Sequence, residues 1–167
     1  MVFVTGLAVK RAAVYWLVNH LFAGTRCFEV KRKLLNSIGH SLGNGAKVVG
    51  PIFCTGTLIT GKDCWIGRNI SIHGNGTVIL GDRCDLAPEV TFLTGSHAIG
   101  TEERRAGPGK TDRIQIGDGC WIGAGATFLN EIRIGQGSVI AACACVVKDI
   151  PSNTLAGGVP ARVVKNL

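Results

Sequence analysis

His97 is the residue of this chain best placed for acid–base chemistry. It closes the segment LTGSH, just before a run from Ala98 to Arg113 that is charged, rich in glycine and broken by one proline. An imidazole titrates near neutrality, which suits a general base that takes a proton from a hydroxyl as its oxygen attacks a carbonyl. The plain alternative is an exposed histidine with no role. His73, in IHGNGT, is the other histidine among the regular repeats, and His20 and His40 lie outside them. A three-histidine zinc site would need a further ligand, and no CxxC pair is present, so no metal is expected. Trp65 and Trp121 share one slot, each just before an Ile-Gly pair, where an indole could wall a cleft or pack between subunits. Lys148, Arg162 and Lys165 gather near the C-terminus with Gly157, Gly158 and Pro160. Cations beside a closely approachable backbone suit phosphate groups, although such a tail also reads as merely solvated.

These residues need a rigid frame, and the stretch Ile116 to Pro151 supplies one: IGDGCW IGAGAT FLNEIR IGQGSV IAACAC VVKDIP. Each hexad opens on Ile, Phe or Val. A glycine follows at Gly117, Gly123 and Gly135, and Ala141 fills that slot once more. The fifth positions, Cys120, Ala126, Ile132, Ser138, Ala144 and Ile150, are small or aliphatic. A fixed short period marks a repeat architecture, and six does not fit a helix. It suits a short strand that turns a corner at each repeat, three repeats closing one coil of a triangular prism. The glycine would relax backbone sterics near the corner. Looser hexads begin at Ile38. Thr60–Thr77 and Leu80–His97 give three units each, with Val78 and Ile79 read as a two-residue insertion. Residues 98–113 cannot form a prism side and are expected as a loop thrown out from a corner, a place where function concentrates. The expected organisation is a helical cap over 1–37, a solenoid over 38–151 with the loop at 98–113, and a tail over 152–167. That gives five to six coils, on the order of 25 Å at roughly 4.8 Å per coil.

Composition agrees with a narrow core. Of 167 residues 46% are hydrophobic and only 6% aromatic. Cys64, Cys84 and Cys120 occupy one slot and read as stacked buried thiols, not a disulfide framework. In residues 1–37 the stripe Val14, Leu17, Val18, Leu21, Phe22 predicts a helix, Gly24 and Thr25 break it, and Cys27 to Asn36 predicts a second. These helices would cap the open coil end. The net charge is +7, and Lys10, Arg11, Arg26, Lys31, Arg32 and Lys33 against Glu29 place five of those charges before residue 36. The simplest reading is a solvated basic helix face; peripheral contact with acidic lipid at the inner membrane surface is the other. No nucleic-acid motif accompanies the charge. No cleavable leader is evident, and Lys10, Arg11 and His20 interrupt the apolar start, so a cytoplasmic protein is expected.

Four motifs carry a family resemblance: VTFLTGSHAIG, IGDGCWIGAGA, IAACACVVKDIP and AGGVPARVVKNL. The chain resembles the hexapeptide-repeat acyltransferases, the group containing maltose, galactoside and capsular-sugar O-acetyltransferases. The resemblance is firm from about Thr60 onward. It implies a left-handed parallel β-helix, a hand that the period itself does not fix, and a homotrimer with each active site between neighbouring prisms. It implies acetyl-CoA as co-substrate and a sugar or glycan hydroxyl as acceptor. His97 falls on the catalytic histidine, and Trp121 on a tryptophan at the acceptor and thioester end of the cleft. Ala124 and Ala142 fall where backbone meets the pantetheine arm, and Lys148, Arg162 and Lys165 near the phosphates and adenine. Two departures stand out. The sugar enzymes hold the acceptor with an Asn in the coil before the histidine, and here that coil reads six residues shorter; Asn69, Ser71 and Asn75 are candidates without secure alignment. The apolar, basic N-terminal segment resembles that of capsule and exopolysaccharide enzymes more than that of the maltose type, which argues against a simple maltose or galactoside acceptor. A serine acetyltransferase would carry a much larger helical domain. A non-catalytic scaffold would need neither the long excursion after His97 nor the basic tail.

Overall fold

A computed structural model describes residues 6–167 as a three-sided parallel β-solenoid preceded by two short helices. The first face stacks Ser41–Leu42, Thr57–Thr60, Thr77–Leu80, Arg113–Ile116 and Ile132–Ile134. The second stacks Lys47–Val48, Trp65–Ile66, Asp85–Leu86, Trp121–Ile122, Val139–Ile140 and Thr154–Gly158, and ends on the antiparallel strand Ala161–Asn166. The third stacks Ile52–Cys54, Ile70–His73, Thr91–Leu93, Thr127–Leu129 and Cys145–Val146. Every stacking within these coils is parallel, as when Phe128 pairs with Phe92 below and Val146 above.

The hexads map onto this frame directly. Every opener from Ile116 to Val146, and every fifth position from Cys120 to Ile150, is buried. A prism three hexads around is too narrow for large side chains, so Ile, Val and Ala fill it, with one aromatic step where Phe92 and Phe128 stack at 5.0 Å. Cys64, Cys84 and Cys120 form a buried ladder whose sulfurs each lie 3.1–3.2 Å from a carbonyl of the next coil, on Gly81, Gly117 and Gly135. All seven cysteines are free. The glycine after each opener has a different cause from the expected one. A Cβ on Gly123 would lie 2.5 Å from the Ala142 nitrogen, so close coil stacking, not an unusual φ, demands glycine there. Left-handed backbone falls instead two residues later, at Gly119 and Gly125, and at Asn69, Asn130 and Cys143 on other corners.

The two-residue insertion lies elsewhere than expected. Val78 is buried and pairs with Leu58, and Ile79 pairs with Ile59, so both belong to the first face. Cys54 pairs with Ile72 but Thr57 with Thr77, which puts the extra residues in the corner after His73. The tail also differs. Leu155 and Ala156 stack on Val139 and Ile140, so the second face continues past Pro151 before the chain reverses.

Helices α1 (Gly6–Trp16) and α2 (Phe28–Asn36) close the first coil with polar side chains. Asn19 accepts from the Ile52 N–H and donates to its carbonyl, and Asn36 does the same for Leu42. Arg11 donates to the carbonyls of Ile38 and Cys54, and the Tyr15 hydroxyl donates to Cys54. Exposed strand edges invite further pairing, and these bonds remove them. Lys31 corrects the solvated-face reading. It is fully buried, donates to the Gly24 and Val49 carbonyls at 2.7 and 3.1 Å, and lies 4.9 Å from the Phe28 ring centre. The predicted stripe breaks at Leu21, which is 52% exposed, because residues 17–21 form a π turn closed by Phe22 N–H to Leu17 O. The wider turn rotates later side chains off the buried side. No described helix is long and apolar enough to cross a membrane.

Candidate functional site

The excursion after the third face is not an irregular loop. Gly95–Ile99 and Ala106–Thr111 pair as an antiparallel hairpin, an arm standing off the corner between the third and first faces. Its root is Thr94, which is fully buried. The Thr94 hydroxyl donates to the His73 carbonyl and accepts from Gly76 N–H, and its carbonyl accepts from Asp112 N–H at 2.8 Å. Both ends of the arm are thus tied to one buried residue.

His97 is exposed on this arm, with Nδ1 2.8 Å from the Gly107 carbonyl. A carbonyl only accepts, so Nδ1 carries the proton and neutral Nε2 keeps its lone pair. The imidazole lines a cleft of about 340 Å³ with Ser96, Lys110, Asp112, Asn130 and Glu131. Among the described residues, Lys110, Asp112 and Glu131 form no ion pair with one another. Asn130 has φ 69° and belongs to the corner one coil above the arm. Sequence reasoning missed these cleft residues. Asn130 and Glu131 fall inside an ordinary hexad, FLNEIR, and only the stacking of that corner on the arm singles them out.

The other predicted residues occupy two edges of the prism. Asn75 lies in the corner below the arm, between His73 and Thr77, and Lys148 lies in the corner after Cys145–Val146, so both share the His97 edge. Asn69, Ala124 and Ala142 lie on the edge between the second and third faces, where Cys143 N–H donates to the Ala124 carbonyl at 2.8 Å. Ser71 faces outward on the third face. Trp121 is 59% exposed on the second face, beside a shallow hollow shared with Trp65, Asp85 and Ala87. Trp65 differs from it, because Phe28 packs on it at 5.8 Å. Arg162 and Lys165 pair with Gly157 and Leu155 on the terminal strand. The basic trio is therefore divided, Lys148 standing one face away from Arg162. A single chain places His97 on one edge and Trp121, Ala124 and Ala142 beyond the third face.

His40 and His20 are engaged elsewhere. His40 is buried; its Nδ1 accepts from Leu58 N–H at 3.0 Å, and its Nε2 faces the Tyr15 oxygen at 2.7 Å. Burial, with Arg11 nearby, holds its pKa down to about 4. His20 stacks on Trp16, and no group of three potential metal ligands gathers among the described residues. A hollow of about 630 Å³ along the first face contains no histidine, and its Asp149 carboxylate is engaged by Arg133 N–H. The Cys64 thiol beside Cys84, together with burial, pushes the Cys84 thiol up, and burial does the same for Cys120, which keeps them unreactive.

Known proteins share both sequence and architecture. Residues 113–148 match the family described as bacterial transferase hexapeptide (six repeats). Galactoside O-acetyltransferase of Escherichia coli (strain K12) is 32% identical over 141 residues, 83% of this chain and 70% of that enzyme. A galactoside acetyltransferase solved in complex with coenzyme A superposes with a TM-score of 0.80 at 28% identity, over 99% of this chain and 84% of that one. A hexapeptide-repeat acetyltransferase of Vibrio cholerae O1 biovar eltor, solved with acetyl coenzyme A, superposes with a TM-score of 0.82 at 27% identity, over 96% and 87%. The solenoid matches the left-handed β-helix of these acetyltransferases.

Proposed function

The chain belongs to the hexapeptide-repeat acetyltransferases, and from that premise we propose that it moves an acetyl group from acetyl-CoA to a hydroxyl of a sugar or surface-glycan precursor, with His97 as general base. The observation that carries this is the 2.8 Å bond from His97 Nδ1 to the Gly107 carbonyl, which leaves Nε2 basic in an open polar cleft. The acceptor hydroxyl gives its proton to Nε2 as its oxygen attacks the thioester carbon. The tetrahedral intermediate then collapses, the carbon–sulfur bond breaks, and the imidazolium returns the proton to the departing thiolate. Gly107 stabilises the transient imidazolium through Nδ1–H, and the carboxylates of Asp112 and Glu131 lie in the same cleft. Asn130, Asp112 and Glu131 offer hydrogen bonds to the other hydroxyls of the acceptor, in place of the unaligned Asn69, Ser71 and Asn75. Base catalysis of this kind contributes typically 10²–10⁴-fold, and holding both substrates together adds the rest.

The division of residues between two edges favours a trimer. Three prisms around an axis would bring the His97 edge of one copy against Trp121, Ala124 and Ala142 of the next. Acetyl-CoA would then lie along the shared groove, its arm on the backbone at Ala124 and Ala142, its phosphates toward Lys148, Arg162 and Lys165. Closed rotational symmetry makes every such groove equivalent. The test is complementation. His97→Ala and Ala142→Trp are each expected to be inactive, and a refolded equimolar mixture to recover about a quarter of wild-type thiol release, the fraction of grooves with two intact edges. No recovery while both variants remain trimeric removes the shared site. A panel of glycans with acetyl-CoA, read by thiol release, identifies the acceptor class; no turnover on any hydroxyl acceptor sinks the O-acetyl transfer itself.

A further inference from the structure

We infer that Gly107 is a positioning residue for His97, and that a one-residue bulge in the arm, made possible by a contact between Gly107 and Gly100, fixes the tautomer of the base. This rests on His97 acting as the base. The arm is regular from Gly95 opposite Thr111, through Ser96 opposite Lys110, to His97 opposite Gly109. The register then slips. Ile99 stands opposite Ala106, so two steps on the first strand match three on the second. The extra residue lies in Gly107-Pro108, and a bulge of this kind turns a backbone group out of the ladder. Here the carbonyl of Gly107 is turned toward the His97 ring and accepts from Nδ1 at 2.8 Å.

Space, not backbone conformation, requires glycine at 107. Neither Gly100 nor Gly107 has a positive φ. A Cβ on Gly107 would lie 2.9 Å from the Ala98 carbonyl oxygen and 3.2 Å from Gly100 Cα. A Cβ on Gly100 would in turn meet Gly107 Cα at 3.2 Å and clash with the Arg104 carbonyl. The strands are held at this spacing by Gly100 N–H and Gly107 N–H, which both donate to the Arg105 carbonyl, at 2.9 and 3.1 Å. Pro108 confines the residue before it to extended backbone, which stiffens the turned-out carbonyl. A side chain at 107 therefore cannot be absorbed locally. It pushes the second strand off by a few tenths of an ångström and takes the carbonyl from Nδ1, after which the ring is free to exchange tautomers.

The arm contains its own control. A Cβ on Gly109 meets nothing within 4 Å, although Gly109 is the register partner of His97 on the same strand. Gly107→Ala and Gly109→Ala thus each add one methyl to the same strand, and only the first displaces the carbonyl. Gly107→Ala is expected to lower kcat about 10–100-fold while the KM for acetyl-CoA stays within about twofold, and Gly109→Ala to leave both within about twofold. Nitrogen-15 NMR of the imidazole gives the second readout: one tautomer, protonated at Nδ1, in the wild type and in Gly109→Ala, and a mixture in Gly107→Ala. Wild-type kcat and a single tautomer in Gly107→Ala overturn the inference, as does an equal loss in Gly109→Ala. A parallel His97→Ala measurement separates the two levels. If that variant is inactive while Gly107→Ala is normal, only the positioning role falls; if His97→Ala turns over normally, the general-base reading falls first.

Discussion

His40 makes the stability of the N-terminal cap depend on pH. The imidazole is buried between α1 and the first coils, where Nδ1 accepts the Leu58 N–H and Nε2 meets the Tyr15 oxygen. Both nitrogens are committed in the neutral form. Protonation would set a second N–H against that of Leu58 and bring a cation into an apolar site already near Arg11. Burial first, and Arg11 second, lower its pKa from 6.5 to about 4. The unfolded chain therefore binds this proton more readily than the folded one. Stability from His40 is complete above about pH 6.5 and is lost as pH falls toward 4. Two and a half units at 1.36 kcal/mol each give about 3 kcal/mol. Urea unfolding followed by tryptophan fluorescence reports on the region, because Trp16 is on α1 and Trp65 packs against Phe28 of α2. Protein concentration must be held constant if subunits associate. Comparing wild type with His40→Gln between pH 7 and 4.5 cancels the carboxylates common to both. The variant is expected to be less stable at pH 7 and to have a flatter acid slope, the two curves converging near pH 4. Parallel curves across that range would refute the assignment.

Three further outcomes follow from the same physics. Lys31→Met leaves the Gly24 carbonyl without its 2.7 Å donor, and unfolding free energy should fall by about 1–3 kcal/mol at unchanged fold by circular dichroism. Phe92→Ala removes one half of the stacked core pair and should cost about 3–5 kcal/mol by urea titration, whereas Phe53→Ala, on the exposed side of its strand, should stay within about 0.5 kcal/mol. Arg162→Ala with Lys165→Ala should raise the KM for acetyl-CoA about tenfold or more and weaken its salt dependence, with kcat preserved; an unchanged KM would remove these cations from the donor site.

The solenoid was legible because its constraint is strictly periodic. Burial at the first and fifth place of each hexad follows from a prism of fixed width, so Ile116, Cys120 and Ile122 announce their direction without neighbours. What the period did not reveal depends on contacts between distant residues. Lys31 reads as a surface cation until the carbonyls of Gly24 and Val49 are seen beside it. The arm reads as a loop because GSHAI and AGPGKT have no apolar alternation; its pairing stands on backbone bonds anchored at Thr94. The insertion was misplaced because Val78 and Ile79 alternate like any strand, and only the register of Thr57 with Thr77 shows that the corner after His73 is the longer one. His97 stood out by its place at the end of a regular run. Its partner Gly107 and its cleft neighbours Asn130 and Glu131 required the arm and the next coil to be stacked in space.

The most direct measurement is thiol release by His97→Ala under saturating acetyl-CoA and acceptor, with coenzyme A affinity determined on the same preparation by calorimetry. Loss of turnover by about 10²–10⁴-fold, with affinity within about twofold of wild type, is the result expected of a general base. Turnover equal to wild type would contradict it.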